Sequence, residues 1–430
     1  MALTGRASLL ALAGVLPVVL LPYGVTLLAV LVLLVAAIAA DVLLAAPVSS
    51  LQLARSGAVT CRLGEEAEVR LSVVNTGTRA ARGLLRDAWV PSAGTRPRVH
   101  RLDVPPGERR VLTTVLRPTR RGDRRPDRVT VRTIGPLGIA GRQGRHELPW
   151  RVRVQPPFTS RTFLPERLAR LRQLDGLAAA RVRGQGTEFD ALRDYVDGDD
   201  VRSIDWRATA RRSGLVVRTW RPERDRRVLL VIDTSRTSAG RVGDMPRLDA
   251  ALDAALLLTA LASRAGDRVD LLAMDRELRA AVEGARRGEL LPRIVDAMCQ
   301  LEPALVESDG RRMVSEILRR ARRRSLVVLF TSLDAAALES GLLPVLGSLT
   351  SRHTVVLAAV GDPRVEEMTR GRGEISAVYG AAAAERAREE RRRMTALLRR
   401  RGVEVVDAPP DTFAPAVADR YLSLKQAGRL

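Results

Sequence analysis

Residues 228–238 read Val-Leu-Leu-Val-Ile-Asp-Thr-Ser-Arg-Thr-Ser, and this stretch decides how the chain folds. Five uncharged branched aliphatic residues in a row fit a strand buried on both faces. Asp233, Ser235 and Thr237 follow at alternate positions just past that strand, so one loop offers a carboxylate and two hydroxyls. Such a set suits a hard divalent cation: Mg²⁺ takes oxygen ligands and keeps several of its waters, and Mn²⁺ or Ca²⁺ accepts similar donors. The alternative is a polar loop that caps the next helix and holds no metal.

Downstream, further strands are expected near 268–274, 325–331, 353–360 and 403–407. Helical runs such as LDAALDAALLLTALASRAG (248–266) and ERAREERRRMTALLRRRG (385–402) fall between them. This alternation predicts an α/β domain over 226–430, a doubly wound parallel sheet with helices on both faces. Ligands of such sheets sit at the carboxyl ends of the strands, where Asp233 lies. Other strand ends would complete a cation site: Ser308, between Glu307 and Asp309, and Thr331, Ser332 or Asp334 after LVVLF.

Upstream, residues 184–211 are dense in acids, arginines and aromatics. Thr187 is placed to cap a helix carrying Phe189, Leu192 and Val196 on one face, with Gly198 at its C-cap. A second short helix is expected from about Ser203 to Arg212, and a strand over Leu215–Trp220. Asp199, Asp200 and Asp205 sit among Arg193, Arg202, Arg207 and Arg211. Bidentate arginine–carboxylate pairs would lock this segment onto the α/β domain, with Tyr195 and Trp206 as anchors. Alternatively it is a docking face with Trp206 and arginines at its centre.

Residues 158–183 form a basic, partly helical connector, so 156–225 is assigned to connector and signature. From 51 to 155 the chain shows short alternating strands, among them EVRLSVVNTG, RRVLTTVLRP, DRVTVRTIGP and WRVRVQPP, with turn signals between them. About seven strands in roughly 100 residues predict an immunoglobulin-like β-sandwich. His100, His146 and His353 have no sequence partners that would make them catalytic.

Residues 7–40 carry no charge, and Pro22, Tyr23 and Gly24 interrupt the run. Two short membrane spans, about 7–21 and 24–40, would form a hairpin within residues 1–50. One tilted span and a secretory signal are the alternatives. Arg6, Arg55 and Arg62 flank the run, and the positive-inside rule then places the soluble part in the cytoplasm of a multi-pass cell-membrane protein.

The net charge is +22. Lys425 is the only lysine, so the basic excess is arginine and looks compositional rather than selected for nucleic acid. It still favours anionic surfaces such as membrane lipid. Cys61 and Cys299 stand far apart and make neither a disulfide framework nor a zinc site. No Walker A loop is present, since Lys425 precedes Gln426, so no nucleotide is held that way. HExxH, GxSxG and Cys-x-x-Cys are also absent, and no enzyme is expected.

Two resemblances sharpen these expectations. Asp233-Thr-Ser235-Arg-Thr237 resembles the metal-ion-dependent adhesion site of von Willebrand factor A domains, whose pattern is Asp-x-Ser-x-Ser with a later Thr and Asp. Thr237 keeps the hydroxyl of the final Ser, Ser308 stands for the Thr, and Ser332 stands where the late Asp belongs, with Asp334 as its substitute. Gly186-Thr-Glu188-Phe189, Leu192-Arg193-Asp-Tyr195, Gly198-Asp199-Asp200-x-Arg202 and Ile204-Asp205-Trp206-x-Ala208-Thr209-Ala210-Arg211 resemble the signature of domain-of-unknown-function family fifty-eight. So does the order of membrane helices, sandwich, signature and A-type domain. This resemblance implies association with a MoxR-type AAA+ ATPase. With the cation loop and the hairpin it leads to the expectation of a membrane-anchored interaction protein whose A-type domain engages that ATPase or its client protein. The competing expectations are a metal-dependent hydrolase of unknown substrate and a polyanion-binding protein.

Overall fold

The computed structural model describes residues 2–181, 188–197, 199–211, 214–221 and 226–430, with side chains described except at 175–181, 188–191, 219–221 and 287. The chain divides into two compact units, Met1–Gln155 and Pro156–Leu430.

The first unit begins with two helices, Gly5–Leu20 and Gly24–Leu44, joined by the Pro22-Tyr23 break. They pack side by side closely enough that a Cβ on Gly14 would come within 2.6 Å of Val30 Cγ1. Of the two, Gly24–Leu44 lies in a segment long and apolar enough to cross a membrane; Gly5–Leu20 is apolar but shorter. The last turn of Gly24–Leu44 carries Asp41, whose buried carboxylate accepts the backbone N–H groups of Leu137, Ile139 and Ala140 at 2.8, 2.9 and 2.7 Å. Thr4 Oγ1 donates to the Gly138 carbonyl at 2.7 Å, so both helices are tied to the same loop. A Cβ on Gly135 would fall 2.2 Å from Asp41 Oδ1, so glycine is required for this close approach.

Ten strands lie between Leu51 and Gln155. One antiparallel sheet orders Ala140–His146, Pro126–Ile134, Ala81–Trp89 and His100–Val104, with Ala2–Leu3 added at its edge. A second orders Leu51–Gly57, Ala67–Asn75 and Arg109–Leu116. Alternate residues point inward, and Leu71 and Val73 of the second sheet share one core with Leu85, Leu102, Val129 and Val131 of the first. The expected sandwich is therefore present. Inside it, Arg55 and Asp87 pair at 2.5 Å with both side chains buried, and Trp89 Nε1 donates to Asp87 at 2.9 Å.

The second unit is built on a six-stranded sheet in the order Leu278–Val282, Arg268–Met274, Arg227–Asp233, Leu326–Phe330, Thr354–Val360, Val403–Ala408. The last five are parallel, at the five expected positions. Leu278–Val282 is an additional antiparallel edge strand. Alternation splits the central strand between two cores. Leu230 and Ile232 face the helices Arg247–Arg264 and Pro410–Gln426, whereas Leu229 and Val231 face Gly310–Arg320 and the end of Ile375–Arg400. The sheet is thus covered on both faces.

Two expectations are corrected here. The basic stretch after Pro157 is partly helical as expected, but it belongs to the second unit rather than connecting to it: Leu164–Arg181 is a helix whose Leu171 is buried in the core shared with Arg247–Arg264. Glu188–Asp194 is a strand, not a helix, and pairs antiparallel with Val216–Arg221. Spacings of three and four between Phe189, Leu192 and Val196 suit a helix, but pairing with a distant strand overrides that local period. The proposed capping residues Thr187 and Gly198 lie outside the described residues.

Candidate functional site at the strand ends

The strand Arg227–Asp233 ends with its last carboxylate inside the protein: Asp233 is 3% exposed. Ser235 donates its backbone N–H to Asp233 Oδ1 at 2.8 Å. Thr331, just past the neighbouring strand Leu326–Phe330, donates its hydroxyl to Asp233 Oδ2 at 2.7 Å. Thr237 reaches the same oxygen at 3.4 Å and lies 3.2 Å from Ser235 Oγ. Ser238 closes the loop through the Asp233 carbonyl at 2.6 Å. Every group holding this carboxylate is neutral, and among the described residues no cation pairs with it. Burial raises the Asp233 carboxyl above its ordinary range, while the hydrogen bonds from Thr331, Ser235 and Thr237 oppose that rise.

Asp233, Ser308, Thr331 and Ser332 line one small cleft over Val231 and Leu338. The Ser332 hydroxyl is buried there with no hydrogen-bond partner among the described residues. An orphaned hydroxyl beside a buried, unpaired carboxylate is a donor set that fits a hard cation, since a buried charge ordinarily requires a counter-charge or a metal.

Of the sequence candidates, Asp233, Ser235 and Thr237 therefore meet, with Ser308 lining the same cleft. Asp334 does not join them. It is exposed and uses its carboxylate as an N-cap, accepting Ala337 N–H at 2.9 Å. Thr331 takes the contact instead. The acids beside Ser308 are also engaged elsewhere: Asp309 caps the helix Gly310–Arg320 and Glu307 pairs with Arg236. Among the described residues no three His, Cys, Asp or Glu side chains cluster as a metal site, so any cation held here rests on hydroxyls and one carboxylate.

Sequence reasoning missed Asp275. It follows the strand Arg268–Met274, is fully buried, and accepts the Thr234 hydroxyl at 2.9 Å. Its carbonyl receives Asp309 N–H at 3.2 Å. It thereby joins the loop after Asp233 to the loop carrying Ser308. Burial would raise its carboxyl, but the Arg279 hydrogen bond at 2.8 Å and the N–H groups of Glu277 and Arg276 hold it below the ordinary range. An acid directly after a buried LLAM run was the available signal.

The signature segment is built differently. The described contacts of Asp199, Asp200 and Asp205 lie within the segment. Asp199 pairs with Arg193 at 2.5 Å and accepts Val196 N–H. Asp200 caps Val201–Ser203 by accepting Arg202 N–H. Asp205 caps Trp206–Thr209 and pairs with Arg218 at 2.7 Å. Thr209 accepts Val216 N–H at 3.1 Å. The expected clamp onto the α/β domain is therefore internal to the segment. Trp206 is no buried anchor either: it is 67% exposed, and Leu192, Val196 and Val201 are exposed with it. Tyr195 is half-buried, while Arg202, Arg207 and Arg211 are exposed. The side chains of Glu188 and Phe189 lie outside the described residues.

A family model described as "Protein of unknown function DUF58" matches residues 191–406, just over half of the chain. The chain belongs to the DUF58 family. The match begins inside the signature strand and ends in the last strand of the sheet, so this DUF58 member carries its family-defining residues in the second unit. Uncharacterized proteins of Mycobacterium bovis and Mycobacterium tuberculosis are 30% identical over 190 residues, 44% of this chain. The match spans 59% of those relatives' own length. Among solved structures, the CARDB domain of a Pyrococcus furiosus protein, in complex with di-metal ions, is 20% identical over 26% of this chain and 91% of its own, with a TM-score of 0.19. A Listeria innocua β-glucosidase mutant is 17% identical over 24% of this chain and 16% of its own, at 0.16. Scores that low carry no argument about fold or activity.

Proposed function

We propose that this DUF58 protein is a membrane-anchored interaction protein whose second unit, a von Willebrand factor A-like domain, engages a partner through a divalent cation at Asp233. The observation that carries the reading is a carboxylate 3% exposed, held only by hydroxyls and a backbone N–H, at the carboxyl end of a central parallel strand. Asp233, Ser235, Thr237 and Thr331 would hold Mg²⁺ or Mn²⁺. With a single protein carboxylate the cation stays coordinatively open, so a carboxylate of the partner can complete it. The partner is proposed to be a MoxR-type AAA+ ATPase or its client, with the exposed Trp206 face as a second contact. The anchor is proposed to be the helical pair Gly5–Leu20 and Gly24–Leu44, the second supplying the longer apolar span and the soluble units lying in the cytoplasm.

A pull-down from native membranes, with and without EDTA, tests this reading. The expected result is an AAA+ ATPase recovered in Mg²⁺, lost in EDTA and lost with Asp233→Ala. Undiminished recovery with a folded Asp233→Ala protein in EDTA would overturn it.

A further inference from the structure

The outer face of the five-stranded sheet carries a groove of roughly 380 Å³ lined by Arg86, Arg128, Arg132, Arg145, Thr130 and Gln143 with Leu84 and Val99. Strand register builds it. Arg86, Thr130 and Arg145 lie directly opposite one another on three adjacent strands. Adjacent strands are about 4.8 Å apart, which sets the two flanking arginines about 10 Å apart at Cα. Arg128 and Arg132 lie two residues to either side of Thr130 on its own strand, about 13 Å apart. Four guanidinium groups thus surround one threonine in a cross. No carboxylate lines the groove. Arg132 donates to the neutral Gln143 amide at 3.0 Å, and Arg128 touches the adjacent Asp127 at 3.1 Å. The guanidinium groups of Arg86 and Arg145 have no hydrogen-bond or ion-pair partner among the described residues. Arg82, on the same face but outside the groove, pairs with Asp103 at 3.5 Å.

A solvated basic face of an arginine-rich chain would intersperse acids, as happens at Arg82. Four arginines around one hydroxyl, with two of them unpaired, form a receptor for an oxyanion with several acceptor oxygens. We propose that this groove binds a phosphate-bearing small molecule or headgroup. Guanidinium forks match phosphate oxygens in pairs, and Thr130 supplies a hydroxyl at the centre. The groove's volume suits a small ligand. Its arginines form a closed cross rather than a track, and no aromatic lines it for base stacking, which disfavours single-stranded nucleic acid.

The test uses the full chain in detergent, with inorganic tripolyphosphate as the soluble probe. Vesicles of neutral lipid, with and without phosphatidic acid, serve as the headgroup probe. Saturable tripolyphosphate binding is expected, weakened about tenfold by Arg145→Gln and about a hundredfold by Arg86→Gln with Arg145→Gln, at roughly 1.4 kcal/mol per lost charge-assisted contact. Arg82→Gln removes the same charge from the same face and should change binding less than about twofold. Vesicle binding that follows the same order assigns the ligand to a headgroup, and tripolyphosphate binding alone assigns it to a free phosphate compound. The proposal is overturned if neither probe binds saturably, if Arg82→Gln weakens binding as much as Arg145→Gln, or if an oligonucleotide binds more tightly than both with many phosphates contributing to its salt dependence.

Discussion

The sandwich interior and the carboxyl ends of the α/β sheet each bury an aspartate, and they treat it in opposite ways. In the sandwich, Asp87 meets Arg55 at 2.5 Å and Trp89 at 2.9 Å, so the charge is matched within the fold. At the strand ends, Asp233 is as deeply buried but receives only neutral donors. A matched buried pair holds two sheets in register. An unmatched one raises the energy of the folded state until something outside the chain supplies the missing charge. The difference makes Asp87 a structural acid and motivates, without reference to any motif, the proposal that Asp233 is a binding one.

The largest break in that comparison is Asp87→Ala. It leaves the Arg55 guanidinium buried and unpaired, and unfolding of the full chain in denaturant should show a loss of about 3–5 kcal/mol. A much smaller loss would mean that the sandwich interior admits water at Arg55.

Asp233 should behave in the reverse sense. Its carboxyl is raised by burial. Between an unfolded value of about 3.9 and that raised value, the folded state holds the extra proton, so stability falls as pH rises through the window. Asp233→Asn removes this slope and should stabilise the metal-free chain at neutral pH, by roughly 1.4 kcal/mol for each pH unit of the shift. Mg²⁺ should stabilise the unaltered chain by about 2.7 kcal/mol when free cation exceeds its dissociation constant a hundredfold, and should leave the Asn variant unmoved. Unfolding temperatures in Mg²⁺ and in EDTA at several pH values check both statements. Equal responses of the two proteins to Mg²⁺ would remove the cation from Asp233.

These two regions were not equally readable from sequence. The parallel strands were legible because short buried aliphatic runs such as VLLVI and LVVLF have few other uses. The edge strand Leu278–Val282 was not: LRAAV has no such run and depends on its neighbour Arg268–Met274 for pairing. Asp233, Ser235 and Thr237 were legible because they sit on one loop. Thr331 reaches them from 98 residues away, and only the sheet order made it, rather than Asp334, the contact. The Arg55–Asp87 pair was invisible for a similar reason, whereas Asp275 had a local signal that was missed. The partners Arg55 and Asp87 lie in different sheets and meet only when the sheets pack face to face, and an arginine-rich chain offers too many candidate cations to single one out.

A smaller effect is expected from Asp275→Asn. Asp275 lies one strand from Asp233 and is equally buried, but Arg279 holds its carboxyl below the ordinary range. Its contribution is therefore present at neutral pH and lost as pH falls through the lowered folded value, the opposite slope to that of Asp233. The substitution should cost about 1.5–3 kcal/mol as a charge-assisted hydrogen bond is lost, and should loosen the Ser308 loop that Asp275 positions. Weaker Mg²⁺ stabilisation in this variant, with every residue around Asp233 intact, would show that loop geometry contributes to the cation site. An unchanged Mg²⁺ response would reduce Asp275 to a purely structural acid like Asp87.

The smallest change in stability is expected at Trp206, where the comparison extends to a third region. The signature segment uses Asp199, Asp200 and Asp205 for its own caps and ion pairs, all at partly or fully exposed sites, so these acids are matched locally without being buried. What it leaves unmatched is apolar surface: Trp206, Leu192, Val196 and Val201 face outward. An exposed tryptophan contributes little to folding, and Trp206→Ala should shift stability by less than about 0.5 kcal/mol. At a docking face the same truncation costs about 2 kcal/mol or more of binding, because a large aromatic anchor is removed from the centre of the contact. The two measurements therefore diverge if the surface docks a partner. Loss of AAA+ ATPase recovery with an unchanged unfolding curve supports docking, whereas parallel loss of both would make Trp206 a folding residue that packs only when the segment is complete.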